Sequence, residues 1–252
     1  KDGYAYWRPF DWREIDDRYI RLAEIVQVRG SFETEEVASE WKGISGGYGS
    51  SIRSALARDL RFGFIGGTDN HDGWPVRGQM RNDGYDPSPM IGLMAVQAPE
   101  LTREAIFQAM RDRRTYATTG ARIALDFCLN GKYPMGSEAE LYPIEKRTFL
   151  ISIKGTAPLD RVEIVSMGAV LGSIPVDGSK DLSIDWTDPR MDPPVDNCYY
   201  YLRVRQTDGN CAWSSPIWVD YRDKEELSEI VKQRAGAEHI RCPPTFIWVS
   251  NI

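Results

Sequence analysis

Residues 181–187 read DLSIDWT, and their alternation decides the fold of the second half of the chain. Successive side chains of a strand leave from opposite faces, so Leu182, Ile184 and Trp186 share one side and Asp181, Ser183 and Asp185 the other. One face is expected to be buried and the other wet. Working outward, six more strand-like runs occupy 123–129, 148–154, 161–167, 169–176, 198–206 and 211–220. Turn pairs at Asn130-Gly131, Asp177-Gly178 and Asp208-Gly209 separate several of them. Seven short strands punctuated in this way predict an antiparallel, immunoglobulin-like β-sandwich over 121–222.

Upstream the period changes. AEIVQV (23–28) is short, β-branched and followed by Gly30, which fits a buried strand. From Ser51 to Leu60 the spacing of Ile52, Ala55, Leu56 and Leu60 predicts a helix capped by Ser51. RFGFIGG (61–67) then reads as a glycine-rich strand ending in Thr68-Asp69-Asn70-His71-Asp72. A stretch from Gly73 to Ile91, dense in Gly, Pro, Asn and Asp, reads as a long loop of the kind that carries function. LMAVQA (93–98) is a further strand, and a helix capped by Thr102 follows it. Strand, helix, strand, helix predicts an α/β region over 1–120. Residues 223–252 form a tail with a helix-like EELSEIVKQRAG.

The totals exclude several classes. Hydrophobic residues at 42% and charged residues at 27% describe a folded, soluble chain rather than a disordered one. The 31 Lys and Arg stand against 37 Asp and Glu, a net charge of -6 that repels a phosphate backbone, so nucleic acid is not an expected partner. No apolar run is long enough to span a membrane. The opening Lys1-Asp2-Gly3 lacks both Met and the layout of a signal peptide, as a fragment or a processed chain would, so cytoplasmic and exported locations stay open. Cys128, Cys198, Cys211 and Cys242 form no C-x-x-C and read as buried apolar residues. Cys198 and Cys211 lie at unequal distances from the Asp208-Gly209 turn, so no disulfide is expected between them.

Asp69 and His71 stand at i and i+2 at the end of a strand. If the extended geometry persists, both side chains leave from one side and can share a metal. A hard carboxylate oxygen with an imidazole nitrogen suits Zn, Mn or Fe better than Ca or Cu(I). Such an ion lowers the pKa of its water to about 7, which is hydrolytic chemistry.

The string GFIGGTDNHDGWP (63–75) resembles the final metal-binding motif of PHP-superfamily hydrolases, an Asp-x-His at the end of a barrel strand. PELTREAIFQAMRDRRTYATTGARI, RVEIVS and YYYLRVRQTDGNCAWSSPIWVD look like the downstream portion of a PHP-related group. That group includes proteins of unknown function and carbaryl-type carbamate hydrolases. The resemblance covers about Ala23 to Asp220. It implies a partial, distorted TIM-like α/β barrel in 1–120, with Asp69 and His71 as metal ligands and divalent Zn, Mn or Fe as cofactor. A metal-bound hydroxide would act on a phosphoester, or on a carbamate or carboxylic ester, of a small-molecule substrate. PHP sites also draw histidines from upstream, beginning with H-x-H, but this chain has only His71 and His239. The missing ligands are therefore expected on an N-terminal segment of the same protein, and this chain alone is expected to bind metal weakly and turn over negligibly.

Weaker candidates remain. Glu24 and Glu33 can approach the barrel mouth as further ligands. Trp74, Arg77, Arg81 and Tyr85 lie in the long loop and can cover a substrate, an Arg pairing an anionic group. Arg113, Arg114 and Tyr116 follow the second helix within a family-like block. Each also has an ordinary reading as a surface, capping or core residue. A function of another class is a non-catalytic module, with Tyr199, Tyr200, Tyr201, Trp213 and Trp218 binding glycan or protein.

Overall fold

The computed structural model describes residues 10–27, 30–35, 49–69, 80–81, 84–85, 92–190, 197–222 and 246–249, the last four and those of 80–85 as backbone only. Leu22–Gln27 forms β1 and pairs antiparallel with the short β2 (Gly30–Ser31). Helix α1 (Ile52–Leu56) starts where Ser51 Oγ accepts from Ser54 N at 3.1 Å, and it buries Ile52, Ala55 and Leu56, the face its spacing predicts. It stops short of Leu60 because the chain turns left-handed at Asp59, φ 59°. Strand β3 (Gly63–Gly66) then runs parallel to β1, Ala23 opposite Phe64 and Glu24 opposite Ile65.

Strands β4 (Met80–Arg81) and β5 (Gly84–Tyr85) pair with each other. Next come β6 (Leu93–Gln97), α2 (Arg103–Arg111) and β7 (Thr115–Thr118). Thr102 Oγ1 caps α2 by accepting from Ala105 N at 3.2 Å, and Ala105, Ile106, Ala109 and Met110 cover Met94 and Val96 of β6. The remaining regular elements among the described residues are strands: β8 (Ala124–Leu129), β9 (Tyr133–Pro134), β10 (Glu138–Leu141), β11 (Thr148–Lys154), β12 (Leu159–Ser166) and β13 (Ala169–Ile174). β14 (Asp181–Thr187), β15 (Asn197–Gln206), β16 (Cys211–Ser214), β17 (Ile217–Tyr221) and β18 (Phe246–Val249) complete it.

These strands make three layers. The largest sheet has nine strands along β10-β17-β15-β16-β7-β6-β18, with β12 added to β15 and β13 to β12. A four-stranded sheet, β14-β11-β8-β9, covers one of its faces, and the three-stranded β2-β1-β3 with α1 lies against the other. Strand β15 explains the arrangement through its period of two. Cys198, Tyr200, Leu202 and Val204 join Phe127, Phe149 and Ile151 in the core facing the four-stranded sheet. Tyr199 and Tyr201 point the other way, into a core with Trp12, Phe62, Phe64, Trp213 and Trp218. A strand buried on both faces loses the apolar-polar alternation of a wet one, as NCYYYLRVRQ does.

The α/β barrel expected over 1–120 is not what the chain builds. Among the described residues there are only two α-helices, α1 and α2, and nothing closes a barrel. The β1–α1–β3 unit is a parallel crossover, but its sheet stops at three strands and lies against the middle layer. The second helix misleads because β6 and β7, on either side of it, are antiparallel, Leu93 opposite Thr118 and Val96 opposite Thr115. Periodicity marks a helix between two strands but carries no information on the direction in which the second returns. The border drawn at 120 is also bridged, since Thr118, Ala117 and Tyr116 of β7 pair with Ala212, Trp213 and Ser214 of β16.

Smaller differences have similar causes. β14 has the predicted ends, but it is an edge strand, so its inner face is half covered and Ile184 remains 36% exposed. The run 211–220 is split into β16 and β17 around Ser215-Pro216. Cys198 and Cys211 are buried and not disulfide-bonded, whereas Cys128, expected as a plain buried apolar residue, is buried but disulfide-bonded. The helix-like tail, His239 and Cys242 lie outside the described residues. Among the described residues, no helix is long and apolar enough to cross a membrane.

Candidate functional site

Parallel strands end on the same side, and there the ladder gives way to side chains. At the carboxyl ends of β1 and β3, Val26 pairs with Gly66, and Gly67 N donates to Val26 O at 3.0 Å. The chain entering β6 crosses the same point: a Cβ on Gly92 would lie 2.4 Å from both Gly67 O and Val26 O. One residue beyond Val26, the buried Gln27 donates from Nε2 to Asp69 Oδ2 at 2.8 Å. Asp69 is half-buried and left-handed, φ 49°. Asp tolerates that conformation better than most residues, but it still stores strain, and strained residues concentrate at functional sites.

The left-handed turn corrects the geometry assumed for Asp69 and His71. Extended backbone does not continue through Asp69, so spacing by two places no constraint on a shared side. His71 itself, with Trp74 and Arg77, lies outside the described residues. Arg81 and Tyr85 belong to β4 and β5, whose backbone alone is described.

Glu33 sits elsewhere. Its carboxylate accepts from Tyr201 Oη at 2.6 Å, Arg203 Nη1 at 2.9 Å and Trp213 Nε1 at 2.9 Å, and the residue is buried. Arg203 also donates from Nη2 to Glu163 at 2.5 Å. This carboxylate fastens the loop after β2 to the middle layer and is not directed at the β1–β3 ends. Burial, reinforced by the charge of Glu33, pushes the Tyr201 hydroxyl far above its usual range. Glu24 is half-buried on β1, on the face opposite Ala23 and Ile25.

The residues after α2 separate as well. Tyr116 is fully buried, donating to Ile123 O at 3.0 Å and accepting from Leu125 N at 3.3 Å, and burial raises its pKa. It pins β7 to the strand that comes next, a core role in place of the proposed contact with substrate. Arg114 is half-buried, and its carbonyl accepts from Gln97 N at 2.8 Å. Arg113 is buried, with φ 59°, bound to Gly136 O and Glu138; burial pushes its guanidinium down despite that carboxylate. Glu138 also meets Arg61, which holds Asp220 through two hydrogen bonds of 2.7 Å. The Arg61 ion pairs rivet the three-stranded sheet to the nine-stranded one.

Sequence reasoning missed Gln27, Ser215 and the partners of Glu33. Gln27 carried one available signal, a polar amide directly after the apolar pair Ile25-Val26. Ser215 had none: its hydroxyl accepts from Phe64 N at 2.8 Å and donates to Thr115 O at 2.5 Å, linking β3 to β7. The donor chemistry around Asp69, a carboxylate with one oxygen held by an amide, suits a single oriented ligand of a metal. Among the described residues no group of three or more His, Cys, Asp or Glu is placed to hold an ion, so Asp69 fits such a centre only as a contributor.

A family model described as "Protein of unknown function (DUF3604)" matches residues 77–140, from the β4 region to β10. An uncharacterized protein of Chlamydia muridarum (strain MoPn / Nigg) is 33% identical over 232 residues, covering 83% of this chain. One from Chlamydia trachomatis serovar D is 32% identical over 231 residues, and one from Chlamydia pneumoniae 34% over 233 residues, each covering 84% of this chain. The chain spans 36% of the length of each of these relatives. Among solved structures, the fibronectin(III)-like modules of Clostridium thermocellum CbhA are similar at 14% identity and a TM-score of 0.26. That likeness covers 38% of this chain and 95% of the module, and at so low a score it supports neither a fold nor a function.

Proposed function

We propose that this chain supplies part of the site of a metal-dependent hydrolase acting on a phosphoester, with Asp69 and His71 as two of the ligands. One observation carries the reading: Asp69, held in a left-handed turn, has its carboxylate fixed by Gln27 at the joint carboxyl ends of two parallel strands. Residues with fixed carboxylates at strand ends are placed to bind, whereas a solvated loop aspartate needs neither strain nor a buried partner. The resemblance of GFIGGTDNHDGWP to the PHP motif supports the same assignment. Zn, Mn or Fe, when bound, would supply Lewis acidity and an activated water. Two ligands are fewer than a catalytic centre uses, so the others are assigned to a longer protein, in keeping with relatives of which this chain spans 36%.

The non-catalytic reading loses its platform. Tyr199, Tyr200, Tyr201, Trp213 and Trp218 are all buried, at 4%, 0%, 3%, 0% and 2% exposure, and offer no ring to a glycan. The test is metal analysis of the full-length gene product, reconstituted with Zn(II) or Mn(II), beside Asp69→Asn and His71→Ala. Expected is a bound ion lost in both variants and hydrolysis of nitrophenyl phosphate. Turnover of aryl carbamates instead would move the reaction to that electrophile, and wild-type protein that retains no ion would end the proposal.

A further inference from the structure

Gln27 and Asp69 are 42 positions apart in sequence and meet only because β1 and β3 run parallel and end together. The amide is buried at 5% exposure, whereas the carboxylate it holds is half-buried. A glutamine buried at the end of β1 gives up hydration, and that cost is recovered only through its hydrogen bonds. The bond it makes runs to a charged acceptor, the stronger class of hydrogen bond.

The backbone around the pair has little freedom. Gly66 stands where a Cβ would be 2.7 Å from Leu93 O, and Gly92 where one would be 2.4 Å from Gly67 O. Three chain segments therefore cross at contact distance beside Asp69. The strand ends are closely packed, and the carboxylate keeps the freedom of rotation about its own side-chain bonds. The amide donor at 2.8 Å restrains that rotation.

We propose that Gln27 is a positioning residue that orients the Asp69 carboxylate toward the ion, a role that rests on the reading of Asp69 as a ligand. Gln27 touches neither ion nor substrate and acts through Asp69. Partners of this kind change metal affinity by about 10- to 100-fold when removed.

The experiment uses the full-length protein with Co(II) and Zn(II) as probes. Gln27→Met keeps the side-chain length but replaces the amide with an apolar thioether, deleting the donor. Expected is a Zn(II) affinity lower by about 10-fold or more, with a shifted Co(II) absorption spectrum and an unchanged fold by circular dichroism. Unchanged affinity and spectrum in Gln27→Met, where Asp69→Asn abolishes binding, would overturn the positioning role and leave the hydrolase reading intact. Unchanged affinity in Asp69→Asn would overturn both. If Gln27→Met does not fold, Gln27→Glu decides: it sets a second carboxylate against Asp69, and an unperturbed Co(II) spectrum there overturns the proposal.

Discussion

Tyr201 donates its hydroxyl to Glu33 across 2.6 Å, tying a loop near the start of the chain to a strand 168 residues later. Arg203 and Trp213 complete the shell of that carboxylate. The contact joins two layers that no backbone ladder connects among the described residues. It also shows how an acidic residue that looks like a ligand candidate in sequence can serve as a bolt.

Removing the bolt should be costly. Glu33→Ala leaves a buried phenol, an indole N–H and a guanidinium short of an acceptor, and is expected to destabilise by about 3–5 kcal/mol. Tyr201→Phe removes one donor of several and should cost about 1–2 kcal/mol. Urea denaturation of both variants checks the order, and equal losses would contradict it.

Gly92→Ala should be among the most damaging small substitutions. Its new methyl would meet the carbonyl oxygens of Val26 on β1 and of Gly67 just past β3 at 2.4 Å, and backbone cannot give way as a flexible side chain does. A loss of about 3 kcal/mol or more is expected, at the upper end of overpacking effects. Gly178→Ala is the control: space around it is open, and its φ of 83° imposes only local strain. Thermal melts of the two should differ clearly.

Stability should fall in acid partly through Asp188. Burial pushes this carboxyl up, but hydrogen bonds from Arg190, its charge, and Arg147 at 3.1 Å outweigh that and hold it below the ordinary 3.8. Its contribution is therefore present above 3.8 and is lost as pH drops from there through the depressed folded value. Asp188→Asn should be less stable than wild type by about 3 kcal/mol at neutral pH. The gap should begin to close below about pH 4 and vanish once the pH is below the depressed folded value. Denaturation measured at several pH values tests this, and a constant gap would refute the assignment.

The thiol inventory is also open to measurement. Of the four cysteines in the chain, Cys198 and Cys211 are free and Cys128 is bonded. Denatured protein should titrate two thiols without reductant and four after reduction. Four in both cases would remove the bond.

Local pattern was legible where local physics decides it. The alternation of DLSIDWT placed β14 with both ends correct, and the hydroxyls of Ser51 and Thr102 announced α1 and α2 through the caps they make. Strand direction was not legible, because the same string of strand, helix and strand serves β1–α1–β3 in parallel and β6–α2–β7 in antiparallel form. β9 and β10 were missed for want of length, and β10 sits in the sheet by pairing with the distant β17, Ala139 opposite Val219. At the candidate site, Asp69 was named as a candidate from its motif. Its left-handed backbone and its amide partner on β1 arise from long-range packing, which leaves no periodic trace. Glu33 failed as a ligand candidate for the complementary reason: its three donors come from β15 and β16, far along the chain.

Because β15 presents one row of side chains to each of two interiors, it is a party wall, and the two rooms cannot be renovated separately. Inserting or deleting a single residue within Tyr199–Val204 would send Tyr199 and Tyr201 into the space cut for Tyr200 and Leu202, and the reverse, spoiling both cores with one indel. Length change in this protein should therefore be confined to its turns, and β15 should accept new side chains far more readily than a new count of them.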